Sequence, residues 1–98
     1  NLRYLDLGSN QLSGFIPPEL GNLSLLQRFY LENNQLTGSI PLSFVMLTHL
    51  ESFNFSGNDV CEPSSIIFLA WRTTVATWDG TGIACGPSFD IFLPSITR

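Results

Sequence analysis

The sequence predicts an α/β solenoid, a stack of coils whose short parallel strands are joined by turns. Two observations carry the prediction. Segments of the chain superimpose at a fixed offset of 24 residues, and the register then fails at a definite point, next to a cysteine. Leu2, Leu26 and Leu50 align, as do Leu5, Phe29 and Phe53, then Leu7, Leu31 and Phe55. Asn10, Asn34 and Asn58 fall in one column, followed by Leu12, Leu36 and Val60. The first two copies stay in step through Gly14/Gly38, Ile16/Ile40, Pro17/Pro41, Leu20/Phe44 and Leu23/Leu47. A fixed period of about 20 to 29 residues with this apolar and asparagine spacing marks a solenoid.

Each position has a physical reason. Leu5-x-Leu7 alternates apolar and polar residues, the pattern of a short half-buried strand. Strands are therefore expected at about 4–6, 28–30 and 52–54. Asn10, Asn34 and Asn58 end these strands. A short amide can hydrogen-bond the turn that it sits in, and stacked copies can link neighbouring coils as a ladder. Losing one leaves buried backbone groups unpaired, at about 1–3 kcal/mol. Gly14 and Gly38 suit a tight turn or close packing. After Ile-Pro, Leu20/Phe44 and Leu23/Leu47 face inward from a loose or 3₁₀-like turn. No coil buries its apolar face alone, so neighbours must stack.

The pattern L-x-x-L-x-L-x-x-N-x-L-x-G-x-I-P-x-x-L, running from Leu2 to Val60, resembles the plant-type leucine-rich repeat of receptor-like kinase ectodomains and polygalacturonase-inhibiting proteins. The resemblance implies a right-handed superhelix with a parallel sheet on its concave side. It also implies a second, short sheet beside the first, built from the G-x-I-P segment.

The register breaks where positions 62, 64 and 65 should read Gly, Ile and Pro but read Glu62, Ser64 and Ser65. Pro63-Ser64-Ser65 has helix-start chemistry, and a helix is expected over about 64–76. Ile67, Ala70, Trp71, Thr74 and Trp78 fall at helical spacing and are expected to lie across the open end of the solenoid. Asp79-Gly80-Thr81-Gly82 is turn chemistry, and Ile83-Ala84-Cys85 offers a last extended segment. A terminal cap must cover the last coil in this way. The chain thus divides into repeats (1–60), a C-terminal cap (61–86) and a tail (87–98). Cys61 and Cys85 bracket the cap, which points to a disulfide and an oxidising compartment. Closing a loop of that length is worth about 3 kcal/mol. A pair of buried free thiols is the alternative. The cap departs from plant receptors, whose paired cysteines lie closer together, and resembles that of bacterial leucine-rich repeat proteins. Phe92-Leu93-Pro94-Ser95-Ile96-Thr97-Arg98 resembles an aromatic-Leu-Pro-aliphatic-Arg tail of surface proteins from filamentous bacteria.

Composition narrows the function. Charged residues are only 12%, lysine is absent and the net charge is −4, so the basic stripe of a nucleic-acid binder is missing. No apolar run reaches membrane-spanning length; Arg72 interrupts the most hydrophobic stretch, Ile66 to Trp71. The chain opens inside a repeat, which reads as the C-terminal piece of a longer protein with further coils upstream.

Candidate ligand contacts are the outward strand residues of the concave face. Read down the columns, the face carries Arg3/Gln27/Glu51, Tyr4/Arg28/Ser52, Asp6/Tyr30/Asn54 and Gly8/Glu32/Ser56, and the ten other than Gly8 and Ser56 are the candidates. Tyrosine and arginine are enriched in binding hot spots because each joins a large contact area to hydrogen bonds. The same residues are also ordinary solvated strand positions. His49, the single histidine, lies away from the acids, so neither a catalytic triad nor a metal site is expected. Asp79-Gly80-Thr81-Gly82 carries too few oxygen donors for calcium. Asn22-Leu23-Ser24 and Asn54-Phe55-Ser56 are glycosylation sequons. An ice-binding reading would need flat threonine ladders, which Ser13/Thr37 with Phe15/Ser39 do not supply.

The reading is a secreted or cell-surface recognition module for a protein, peptide or polysaccharide, without a cofactor and without catalytic residues. The second reading is a structural end cap of an adhesin or other multidomain surface protein.

Overall fold

The computed structural model describes residues 1–86. The tail (87–98), with its Phe92–Arg98 motif, lies outside the described residues. Among the described residues, seven strands form two parallel sheets. The first takes one strand from each turn of the chain, in the order β1 (Tyr4–Asp6), β3 (Arg28–Tyr30), β5 (Ser52–Asn54) and β7 (Thr77–Asp79). The second joins β2 (Ser13–Phe15), β4 (Gln35–Ser39) and β6 (Asp59–Cys61). Parallel neighbours need a crossover of a dozen residues or more, and here each crossover is one coil of the solenoid.

Register follows the repeat. Leu5 pairs with Phe29 and Phe29 with Phe53, so the inward column stacks residue on residue. In the first two coils the return path is a 3₁₀ turn, Pro18–Asn22 and Leu42–Met46. Pro17 and Pro41 start these turns with extended backbone.

Glycines mark where that path bends. Gly14 and Gly38 have φ of 84° and 87°, in the left-handed region that glycine enters without a Cβ penalty. The third copy of this position is Glu62, a residue that avoids that region, and here the return path changes. Instead of a third 3₁₀ turn, the chain forms helix α1 (Ile66–Arg72). The Ser65 hydroxyl caps it, accepting from the Ile67 amide at 3.2 Å and the Phe68 amide at 3.5 Å.

The helix is shorter than the stretch of about 64–76 expected from apolar content. Its end is set by Thr73-Thr74-Val75, a β-branched run with poor helix propensity. The Thr73 and Thr74 hydroxyls turn back onto the carbonyls of Ala70 and Trp71, satisfying the last turn locally. Trp78 is not a helix residue. It lies in β7, paired with Phe53, and extends the first sheet by a fourth strand. Beyond it, Glu62 and Ala84 form a parallel bridge, with the Glu62 amide donating to Ile83 and the Cys85 amide donating to Glu62.

The core is an aromatic column. Phe29 stacks on Phe53 at 5.3 Å, and Phe53 meets the edge of Trp78 at 5.3 Å. Phe44, Phe55 and Phe68 are fully buried around them. Gly80 stands where Leu7, Leu31 and Phe55 stand in earlier coils. A Cβ there would lie 2.6 Å from the Phe55 ring, so the missing side chain makes room for that ring. Trp71 fastens the helix to the previous coil, its Nε1 donating to the Leu47 carbonyl at 3.0 Å.

Candidate functional site

Strand pleating sets the outward face of the four-stranded sheet. Leu5, Phe29, Phe53 and Trp78 point inward, leaving Tyr4, Arg28, Ser52 and Thr77 in one outward row. Asp6, Tyr30, Asn54 and Asp79 make the other. The second row floors a shallow depression of about 360 Å³, walled also by Glu32, Ser52 and Thr77. Five of the ten expected contact residues line it: Asp6, Tyr30, Glu32, Ser52 and Asn54. Tyr4 adjoins it through Tyr30, the two rings meeting edge to face at 5.7 Å.

The other four lie outside the depression. Arg28 is exposed on its strand, while Arg3, Gln27 and Glu51 precede the strands and knit coils together through their backbones. The Arg3 carbonyl accepts from the amides of Gln27 and Arg28, and the Gln27 carbonyl from those of Glu51 and Ser52.

Strand ends hold the polar side chains in place. Asp6 Oδ1 accepts from the Gly8 amide at 3.0 Å, and Asn54 Oδ1 accepts from the Ser56 amide at 3.1 Å and the Ser56 hydroxyl at 2.8 Å. Both are local turns that stop the strand. Gly8 serves its neighbour, because a Cβ there would lie 2.3 Å from the Glu32 carboxylate. Glu32 Oε1 is buried and has no hydrogen-bond partner among the described residues.

Asp6, Glu32 and Asp79 place three carboxylates around the depression, and no arginine lines it. The described residues hold one ion pair, and it lies elsewhere: Arg72 Nε to Glu62 Oε1 at 3.4 Å. Glu62 also accepts from Trp78 Nε1 at 3.3 Å, and the Arg72 guanidinium stands 5.1 Å over the Trp78 ring. Sequence reasoning missed Thr77 and Asp79 because their strand follows β5 at an offset of 25 residues, one more than the repeat. The x-aromatic-Asp-Gly string Thr77–Gly80 was the available signal.

Asparagines bind successive coils. Asn34 Nδ2 donates to Leu31 O in its own coil and to Leu7 O in the previous one, both at 2.9 Å, while its Oδ1 accepts from the Leu12 amide at 3.0 Å. Asn58 repeats this with Phe55 O, Leu31 O and the Leu36 amide. Asn10 bonds only its own coil, through Leu7 O and Gly8 O. Cys61 and Cys85 are joined by a disulfide, with Cα atoms 4.8 Å apart.

His49 links two coils: its Nδ1 lies 3.2 Å from the Ser24 carbonyl, a geometry in which that nitrogen carries the proton. Asn22 is exposed at the end of a 3₁₀ turn, and Asn54 is half-buried in the sheet face. Among the described residues no three His, Cys, Asp or Glu side chains are grouped to hold a metal ion. No helix among them is long and apolar enough to cross a membrane.

Comparison with known proteins agrees with this geometry. A family model described as "Leucine rich repeat" matches residues 1–60. No curated protein matches the chain. Stacked coils, in-register strands and the family match lead to one conclusion: the chain belongs to the leucine-rich repeat family.

Proposed function

We propose that the chain is a ligand-recognition module of a secreted or cell-surface protein, binding a protein, peptide or polysaccharide on the outward face of its four-stranded sheet. The repeat is commonly a protein-interaction module and generally a non-enzymatic binding fold. The observation that carries the proposal is the row Asp6, Tyr30, Asn54 and Asp79, in register across all four strands, with the Glu32 carboxylate beside it. Tyr30 supplies an aromatic surface on which an apolar group or sugar ring can rest. The three carboxylates favour a ligand rich in donors, such as amines, guanidinium groups or sugar hydroxyls. The Cys61–Cys85 disulfide supports an oxidising, extracellular setting. In this reading further coils upstream extend the face, residues 61–86 are its C-terminal cap, and the chain is not an enzyme. Repeat type and cap type follow the plant-like and bacterial resemblances, respectively.

A displayed random-peptide library and a glycan array, each probed with the 98-residue chain, test the reading. The affinity of a selected ligand is then compared for the parent, Tyr30→Ala, Asp79→Asn and a His49→Ala control away from the face. Tyr30→Ala is expected to cost about tenfold or more, as a hot-spot aromatic does, and His49→Ala nothing. A second reading, a structural end cap without its own ligand, is favoured by how completely Phe68 and Trp71 are committed to covering the last coil. It predicts no selected ligand, or ligands indifferent to Tyr30 and Asp79.

A further inference from the structure

Charge is divided across the outward face of the four-stranded sheet. The row at the strand starts is Tyr4, Arg28, Ser52 and Thr77, in which the exposed Arg28 is the single charge. One residue earlier, Arg3 and Glu51 carry opposite charges, which leaves the sign of this edge to Arg28. The row at the strand ends, Asp6, Tyr30, Asn54 and Asp79, is negative and holds no basic residue. Arg28 and Tyr30 share one strand and one face, two residues or about 6.5–7 Å apart.

Arg28 and Asp6 are diagonal neighbours across β1 and β3, close enough for an arginine side chain to span. Among the described residues they form no ion pair, since the one present joins Arg72 to Glu62. Both charges are thus left to solvent or to a ligand. Asp6 stands opposite Tyr30 on the neighbouring strand, and Tyr4 braces the Tyr30 ring edge to face at 5.7 Å. A ring beside a carboxylate is a seat for a cation, because the ring face and the carboxylate both attract it.

We propose, on the recognition reading of this same face, that its ligand is an extended peptide with an acidic and a basic side chain two residues apart. The acid meets Arg28, and the base meets Tyr30 and Asp6. Same-side residues of an extended peptide have the spacing of the sheet's own, so a peptide lying along β3 presents residues i and i+2 to Arg28 and Tyr30 in register. Such complementarity sets register and excludes wrong partners more than it adds affinity. A neutral polysaccharide offers neither charge.

The test measures binding of the full 98-residue chain to immobilised peptides of neutral Thr, Val and Gln. Each carries one central motif: Glu-x-Arg, Arg-x-Glu, Glu-x-x-Arg, Arg-x-Arg or Gln-x-Gln. The better order of the acid-x-base pair is expected to bind about tenfold tighter than Glu-x-x-Arg or Gln-x-Gln. Arg28→Glu, at an exposed position, is expected to reverse the choice and favour Arg-x-Arg about tenfold over the acid-x-base pair. Asp6→Asn should weaken the parent's preferred peptide about threefold, and His49→Ala should leave it unchanged. Binding of none of these peptides, equal binding at the two spacings, or a preference that survives Arg28→Glu overturns the proposal. Library ligands that need Tyr30 but lack the acid-x-base pair overturn it too, while the recognition reading stands. If no ligand binds in a Tyr30-dependent way, both fall.

Discussion

The first and third of the described coils use the same residue columns with different results. Leu12, Leu36 and Val60 occupy one column, and their exposure falls from 39% to 5% to 0% along the chain. Asn10, Asn34 and Asn58 show the same gradient in hydrogen bonds, since Asn10 reaches only its own coil and the other two span two coils. The third coil is covered by α1, β7 and the Cys61–Cys85 bridge, while among the described residues β1 has a neighbour on one side only. A repeat position therefore has no fixed worth. What a leucine or asparagine contributes depends on the coil stacked against it, as expected when stability is a sum of nearest-neighbour interfaces.

The largest break in this comparison comes from removing an aromatic at the covered end. Phe53→Ala empties a site between Phe29, Phe55 and Trp78 and should cost about 3–5 kcal/mol. Leu5→Ala, the half-buried equivalent, should cost about 1–2 kcal/mol because less area leaves the core. Urea melts of the two variants give the difference directly, and equal losses would remove the gradient.

Next is the bridge. Cys61→Ser with Cys85→Ser should lower stability by about 2–4 kcal/mol. Thermal melts with and without reductant check it, because reductant should shift the parent and leave the double variant unmoved.

The asparagine column comes third. Asn34→Ala leaves the Leu12 amide and the Leu7 carbonyl without their partner and should cost about 1–3 kcal/mol, against less than about 1 kcal/mol for Asn10→Ala. Asn33 is an unsuitable control for this series. It sits at φ 58°, in a column with Ser9 at 56° and Gly57 at 70°, so Asn33→Ala adds backbone strain of its own.

Smallest is Glu62→Gln. It weakens the pair with Arg72, whose side chain is 43% exposed, and should cost less than about 1 kcal/mol. A chemical-denaturation shift larger than that of Asn34→Ala would mean that the Glu62–Arg72–Trp78 cluster, rather than coil stacking, holds the end.

Much of the fold was legible because the repeat reports itself in several columns at once. Strands β1, β3 and β5 lie at the residues that the 24-residue offset marks. The start of α1 was legible in Pro63-Ser64-Ser65, but its end was not, because apolar content outweighed the β-branched Thr73-Thr74-Val75 in the reading. Strand β7 escaped for two reasons. One inserted residue moves it to an offset of 25, and Gly80 replaces the second inward apolar residue, so the strand lacks half of its signature. The outward row of the four-stranded sheet was legible to the same extent. Asp6, Tyr30 and Asn54 were visible as a column, whereas Asp79 and Thr77 became visible only once β7 was in the sheet.

Amide hydrogen exchange at three equivalent positions tests the nearest-neighbour account most directly. The amides of Leu7, Leu31 and Phe55 each donate to the strand of the next coil, to Tyr30 O, Asn54 O and Asp79 O at 2.8, 2.7 and 2.8 Å. Their hydrogen bonds are alike, so only the surrounding coils distinguish them. The account predicts that Leu7 exchanges fastest and that protection rises through Leu31 to Phe55. Equal protection at all three, or the reverse order, would contradict it.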